Sequence, residues 1–151
     1  MKAEELRIGN YVKIDTGIGK AVSLMSNTFC NECANDDYNI TIEMGDGTFR
    51  EEEETKVEGI PLTEEILLNC GFEKINHISG YIFYSFDRNY KREKFAYMPL
   101  DVYLNPNYAK IANFTVRQNV EYVHQLQNLF YAINGKELNI QLRRVTFTTY
   151  F

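Results

Sequence analysis

Tryptophan is absent from this 151-residue chain, and histidine (2), cysteine (3) and proline (3) are scarce. Each scarcity closes off a class of explanation. Three cysteines are an odd number, and the opening Met1-Lys-Ala-Glu-Glu turns acidic before any apolar stretch begins. Reduced thiols are therefore expected, with no disulfide framework and no secretory signal. No apolar run approaches the ~18 residues that span a bilayer. The expectation is a protein without a membrane partner that stays where it is made, in a cytoplasm. Neither a P-loop nor a dinucleotide-binding glycine fingerprint occurs, and no internal repeat or low-complexity tract is present.

What remains is an ordinary globular composition with an uneven distribution. The net charge of −5 divides into 13 acidic and 6 basic side chains over residues 1–60, against 8 and 10 over residues 61–151. Of the 21 Phe and Tyr residues, 17 lie from Phe72 onward. An acidic, glycine-punctuated front thus precedes an aromatic-rich, nearly neutral back. Overall acidity argues against broad electrostatic binding to nucleic acid, whose affinity comes largely from Lys and Arg on phosphates.

The front half reads as short strands joined by tight turns. Leu6–Ile14 is a lead-in followed by a strand, Gly17 and Gly19 form a turn, and Lys20–Met25 is the second strand. Tyr38–Met44 alternates as a half-buried strand, and Gly45-Asp46-Gly47 turns the chain into Thr48-Phe49-Arg50. Glu51–Glu54 reads as a solvated edge that discourages pairing between sheets. A boundary follows at Glu58–Phe72. There Thr63 is an N-cap, Glu64 and Glu65 fill the first turn, Gly71 stops a short helix, and Leu62 and Leu67 have the spacing of a hydrophobic staple.

Beyond it, strands are expected at Glu73–His77, Tyr81–Phe86, Phe95–Met98, Val102–Leu104, Ile111–Val116, Leu138–Leu142 and Val145–Phe151, with a turn at Asn105-Pro106-Asn107. Between them lies the longest helical pattern. Val120, Val123, Leu126, Phe130 and Ile133 form one stripe, with Asn119 as N-cap and Gly135 as the stop. Gln125, Gln127 and Asn128 lie on the other side, a polar face suited to a homodimer contact. The fold class is α+β: a small N-terminal antiparallel sheet closing into an SH3-like barrel, a short linking helix, then an antiparallel sheet packed on one longer C-terminal helix. Residues 1–59 form the β subdomain and 60–151 the α+β subdomain, two parts that could also merge into one domain.

Few constellations carry chemistry. Cys30-Asn-Glu-Cys33 has metal-like spacing but lacks a second pair, and Asp36 and Asp37 beside it disfavour a thiolate. No metal and no cofactor are expected. His124 lies beside the apolar stripe within reach of Gln127 and Asn128, which reads as a hydrogen-bonded histidine at the core edge. No nucleophile motif accompanies it, so no catalytic residue is assigned. The best local candidate for an anionic ligand is Arg88, Tyr90, Lys91, Arg92 and Lys94, where cations flank an aromatic ring. Arg143 and Arg144 could extend that patch.

Three segments, Glu5–Val12, Gly59–Phe72 and Tyr122–Leu138, together resemble a family of small proteins from bacteroidete gut bacteria and their phages and prophages. The resemblance implies a context, that of a phage or mobile-element accessory protein, and not an activity. The expected function is non-catalytic binding, with a protein as the foremost partner. The alternatives are sequestration of a nucleotide or other small anion, as in counter-defence, and nucleic-acid binding on the small barrel.

Overall fold

Alternation sets the first strand. β1 (Tyr11–Ile14) buries Val12 and Ile14 and leaves Tyr11 and Lys13 half-buried on the other side. The computed structural model describes residues 1–26, 38–86, 100–104, 107–111 and 117–142. The chain divides into two units: Met1–Pro61 with Glu121–Leu129, and Leu62–Val120 with Phe130–Phe151.

In the first unit β1 is followed by β2 (Gly17–Ser26), β3 (Tyr38–Met44) and β4 (Phe49–Glu53), antiparallel and paired in chain order. Val12, Ile14, Ala21, Ile40 and Ile42 of the sheet pack with Ala3, Leu6 and Val57. Among the described residues β1 and β4 do not pair, so the sheet is open and the expected SH3-like barrel is not closed. The reason lies in the hydrogen bonds. The outer edge of β1 is taken by Glu58, through Lys13 N–H to Glu58 O at 2.9 Å and Glu58 N–H to Lys13 O at 2.8 Å. β4 carries exposed acidic side chains, which disfavour a further strand.

The first hairpin differs from expectation. Its turn is Asp15-Thr16, and both glycines belong to β2, where Gly17 pairs with Ile14 and Gly19 with Val12. Gly19 is required by crowding, because a Cβ there would lie 2.4 Å from Ile42 Cγ2 and 2.7 Å from Glu43 O. At the second hairpin the Asp46 carboxylate accepts from Thr48 N–H at 2.9 Å and from its hydroxyl at 2.6 Å. Those bonds hold its pKa below the usual carboxylate value.

The second unit opens on α1 (Glu64–Asn69), whose two ends follow the sequence signals. Thr63 Oγ1 accepts from Ile66 N–H at 3.3 Å. Gly71, at φ 91°, lets Phe72 N–H reach Leu67 O at 3.0 Å and Gly71 N–H reach Leu68 O at 3.1 Å, a Schellman closure. Five strands then form an antiparallel meander in chain order: β5 (Glu73–Asn76), β6 (Ile82–Phe86), β7 (Leu100–Leu104), β8 (Asn107–Ile111) and β9 (Arg117–Asn119). Asn107, read from sequence as part of a turn, pairs with Leu104 as the first residue of β8. The α+β class holds. The predicted strands at Phe95–Met98 and Val145–Phe151 lie outside the described residues, as does Ile111–Val116 beyond its first residue. Leu138–Leu142 joins no ladder among the described residues; Leu138 and Ile140 are nonetheless buried.

The second helix, α2 (Val123–Asn134), starts later than its apolar stripe suggested. Asn119 is paired with Tyr108 in β9 and is not the cap. Gln125 Oε1 instead accepts from Glu121 N–H at 2.8 Å and Tyr122 N–H at 3.2 Å, the reach-back half of a capping box. At the other end Gly135 N–H donates to Tyr131 O at 2.7 Å.

Two substitutions test these local arguments. Gly19→Ala should destabilise by about 1–3 kcal/mol through overpacking, and Thr63→Ala by about 1 kcal/mol through loss of a cap. Both should lower the urea midpoint at unchanged slope.

Candidate functional site

Gln127 and Asn128 tie α2 to the segment before β1. Gln127, 2% exposed, accepts from Tyr11 N–H at 2.9 Å and donates to Gly9 O at 3.1 Å. Asn128 donates to Glu5 O at 2.8 Å, and its Oδ1 accepts from Asn10 Nδ2 at 3.0 Å and Arg7 Nε at 3.4 Å. Asn10, wholly buried, also accepts from Arg7 N–H at 2.7 Å. These side chains therefore do not form the free polar face that the helical pattern implied. They satisfy backbone groups of Glu5–Tyr11 that would otherwise be buried and unpaired.

Beside this clamp lies a cleft of about 510 Å³ lined by Met1, Glu5, Glu58, Gly59, Pro61, Tyr122 and His124. Its walls come from three places in the chain held together by backbone bonds. Pro61 bridges to Tyr122, and Val123 N–H donates to Ile60 O at 2.9 Å. Gly59 makes the close approach possible, since a Cβ there would lie 2.6 Å from Tyr122 Cδ1 and 3.2 Å from His124 Cε1. The Tyr122 and His124 rings lie nearly parallel, 15° apart, with centroids 5.7 Å from each other.

His124 is 1% exposed, and neither ring nitrogen has a hydrogen-bond partner among the described residues. This corrects the expectation of a hydrogen-bonded histidine. Gln127 and Asn128, the partners its spacing suggested, are turned to Gly9, Tyr11, Glu5 and Asn10. The half-exposed Glu5 approaches the ring, with Oε2 3.8 Å from Nε2, too long for a hydrogen bond. Burial pushes the imidazole pKa below its ordinary 6.5, opposed by the Glu5 carboxylate, through its charge and its polar approach to Nε2, and assisted by the amino group of Met1. The histidine is therefore neutral at pH 7. Glu58 is held on one oxygen by Lys13 at 3.2 Å.

The residues that the sequence singled out for anion binding, Arg88, Tyr90, Lys91, Arg92 and Lys94, lie outside the described residues, as do Cys30, Cys33, Arg143 and Arg144. Cys70 is the C-cap of α1; burial pushes its thiol up to about 11, so it stays protonated. Among the described residues no three His, Cys, Asp or Glu side chains are grouped to hold a metal ion, and no helix is long and apolar enough to cross a membrane. In the second unit Phe83, Tyr103 and Tyr108 stack across three strands, with centroids 5.5 and 4.4 Å apart, and Lys110 lies over both tyrosines. The rings face one another, which favours sheet stabilisation over base stacking.

Sequence reasoning assigned no role to Glu5, Glu58, Gly59 or Tyr122. Glu5, Gly59, Pro61, Tyr122 and His124 come from three stretches far apart in the chain, and no local pattern links them before the fold brings them to this cleft.

Two measurements probe the arrangement. Gln127→Ala leaves two buried backbone groups unpaired and should cost about 2–4 kcal/mol, read by denaturant unfolding. A histidine whose folded pKa is depressed binds fewer protons folded than unfolded, so its stabilising contribution is complete above pH 6.5 and is lost as pH falls through the lowered value. Thermal melting between pH 7 and 5 should show this loss in the native chain and a smaller one in His124→Gln. Compared with known proteins, the chain matches no protein-family model, no curated protein and no solved structure.

Proposed function

We propose that this chain is a non-catalytic binding protein that uses the cleft beside α2 to engage a protein partner, in the accessory-protein setting that its family resemblance implies. The observation carrying this reading is the wall of the cleft, where His124 is buried and neither ring nitrogen has a hydrogen-bond partner among the described residues. A buried polar group without a partner costs free energy that a packing role alone does not explain, and a functional role is one physical reason for a native structure to retain it.

The same geometry favours binding over catalysis. A general base must bring its nitrogen within ~2.6–3.2 Å of the proton it removes. The His124 nitrogens are covered by protein. Among the described residues that line the cleft, none is a serine or cysteine that could act as a nucleophile.

The test is a capture experiment from bacterial lysate with three proteins of matched thermal stability: the native chain, Tyr122→Ala, and the triple charge reversal of Arg88, Lys91 and Arg92 to Glu. The expected outcome is a partner that the native chain and the triple variant retain and that Tyr122→Ala binds at least about tenfold more weakly, a difference of ~1.4 kcal/mol. Loss in the triple variant alone would move the site to the 88–94 segment and favour the anion-binding alternative.

A further inference from the structure

The cleft has a charge character that narrows what can enter it. The first unit, Met1–Pro61 with Glu121–Leu129, holds 14 acidic and 6 basic side chains, so its summed field attracts cations. Two carboxylates, Glu5 and Glu58, line the cleft itself. Against them stand Lys13, which engages one oxygen of Glu58 at 3.2 Å, and the Met1 amino group, which faces Val57 O at 3.5 Å. Among the described residues Glu5 has no Lys or Arg at ion-pair distance. Among the described residues its one neighbour at ion-pair distance is His124, buried and neutral, whose burial disfavours the charge that would compensate the carboxylate.

The helix start in this wall does not offset the negative charge. The first amide groups of an α-helix ordinarily attract anions. Here the Glu121 and Tyr122 N–H groups donate to Gln125 Oε1 and the Val123 N–H to Ile60 O. An anion entering the cleft would meet carboxylates and no free amides at these three positions.

The remaining lining is the apolar Pro61, the aromatic ring of Tyr122 and the bare backbone of Gly59. A long basic side chain matches this combination, with its methylene stem against apolar surface and its charged head at the carboxylates or over the aromatic face. Resting on the cleft reading above, we propose that its occupant is the cationic head of an arginine or lysine side chain displayed by the protein partner. Glu5 would be the principal charge partner and Tyr122 the flanking ring, with His124 as the neutral base of the site.

The test uses three short peptides on the full chain: acetyl-Gly-Arg-Gly-amide, the same peptide with citrulline as the uncharged isostere of arginine, and the same peptide with glutamate. Binding is followed through the NMR signals of Tyr122, His124 and the Glu5 side chain. The arginine peptide should shift all three saturably, with a Kd of about a few millimolar, and should weaken as salt rises from 0.02 to 0.5 M, as a screened charge contact does on the order of a Debye length. The citrulline and glutamate peptides should bind at least about tenfold more weakly, a gap of ~1.4 kcal/mol. Glu5→Gln, a change at a half-exposed side chain whose backbone anchor to Asn128 is untouched, should remove the preference for arginine. Equal binding of citrulline and arginine, a preference for glutamate, or no shift with any peptide would overturn the cation assignment. The cleft reading fails separately, if Tyr122→Ala captures the partner as well as the native chain does.

Discussion

Gln127 makes the pair of hydrogen bonds on which the first unit depends. Its amide accepts from Tyr11 N–H and donates to Gly9 O, groups 116 and 118 residues earlier in the chain. Apolar burial can draw a helix to a sheet, but burial is non-directional and does not select one seat among several. A two-headed amide does select one, because displacing it leaves two buried backbone groups without partners. Asn128 adds the Glu5 carbonyl and the Asn10 amide to the same clamp. The segment before β1 is thereby held although it contributes no strand of its own.

That clamp has a consequence for the neighbouring histidine. With Gln127 and Asn128 turned toward Glu5–Tyr11, the imidazole of His124 is packed against Tyr122 and Gly59 without a hydrogen-bond partner among the described residues. The Glu5 backbone is fixed by Asn128 while its carboxylate remains half-exposed at the cleft. Gly59 lets Tyr122 approach closely enough to form a wall. Each feature is local, and together they leave a concave, acidic site whose base is neutral. Binding energy at such a site comes from placing a charge beside a carboxylate that, among the described residues, has no Lys or Arg at ion-pair distance. This is why a cationic head suits it better than the anions attracted by most helix starts.

The two units use different means of holding a sheet. In the first, small and β-branched residues pack beneath four strands, and crowding at Gly19 leaves no room for another methyl group. The second relies on aromatic contacts: Phe72 on Phe86, Phe86 edge-on to Phe130, and the stacked Phe83, Tyr103 and Tyr108 ladder. Six of the Phe and Tyr residues concentrated in the second half of the chain are accounted for by these contacts.

Local signals were legible in the sequence wherever neighbours in the chain decide the structure. The caps of α1, the Asp46 turn, the strand at Tyr38–Met44 and the α+β class all follow from residues within a few positions of one another, where propensity and hydrogen-bond geometry act directly. The start of α2 was misread because the apolar stripe extends through Val120, which is buried without being helical, and periodicity reports burial and not backbone conformation. Barrel closure was misread because the edge of β1 is taken by Glu58, and nothing in a strand's own sequence names its partner. The cleft belongs wholly to the tertiary structure. Glu5, Gly59 and His124 acquire a shared environment only when Gln127 finds Gly9 and Tyr11, and a hydrogen bond across 118 residues leaves no periodic trace in the chain.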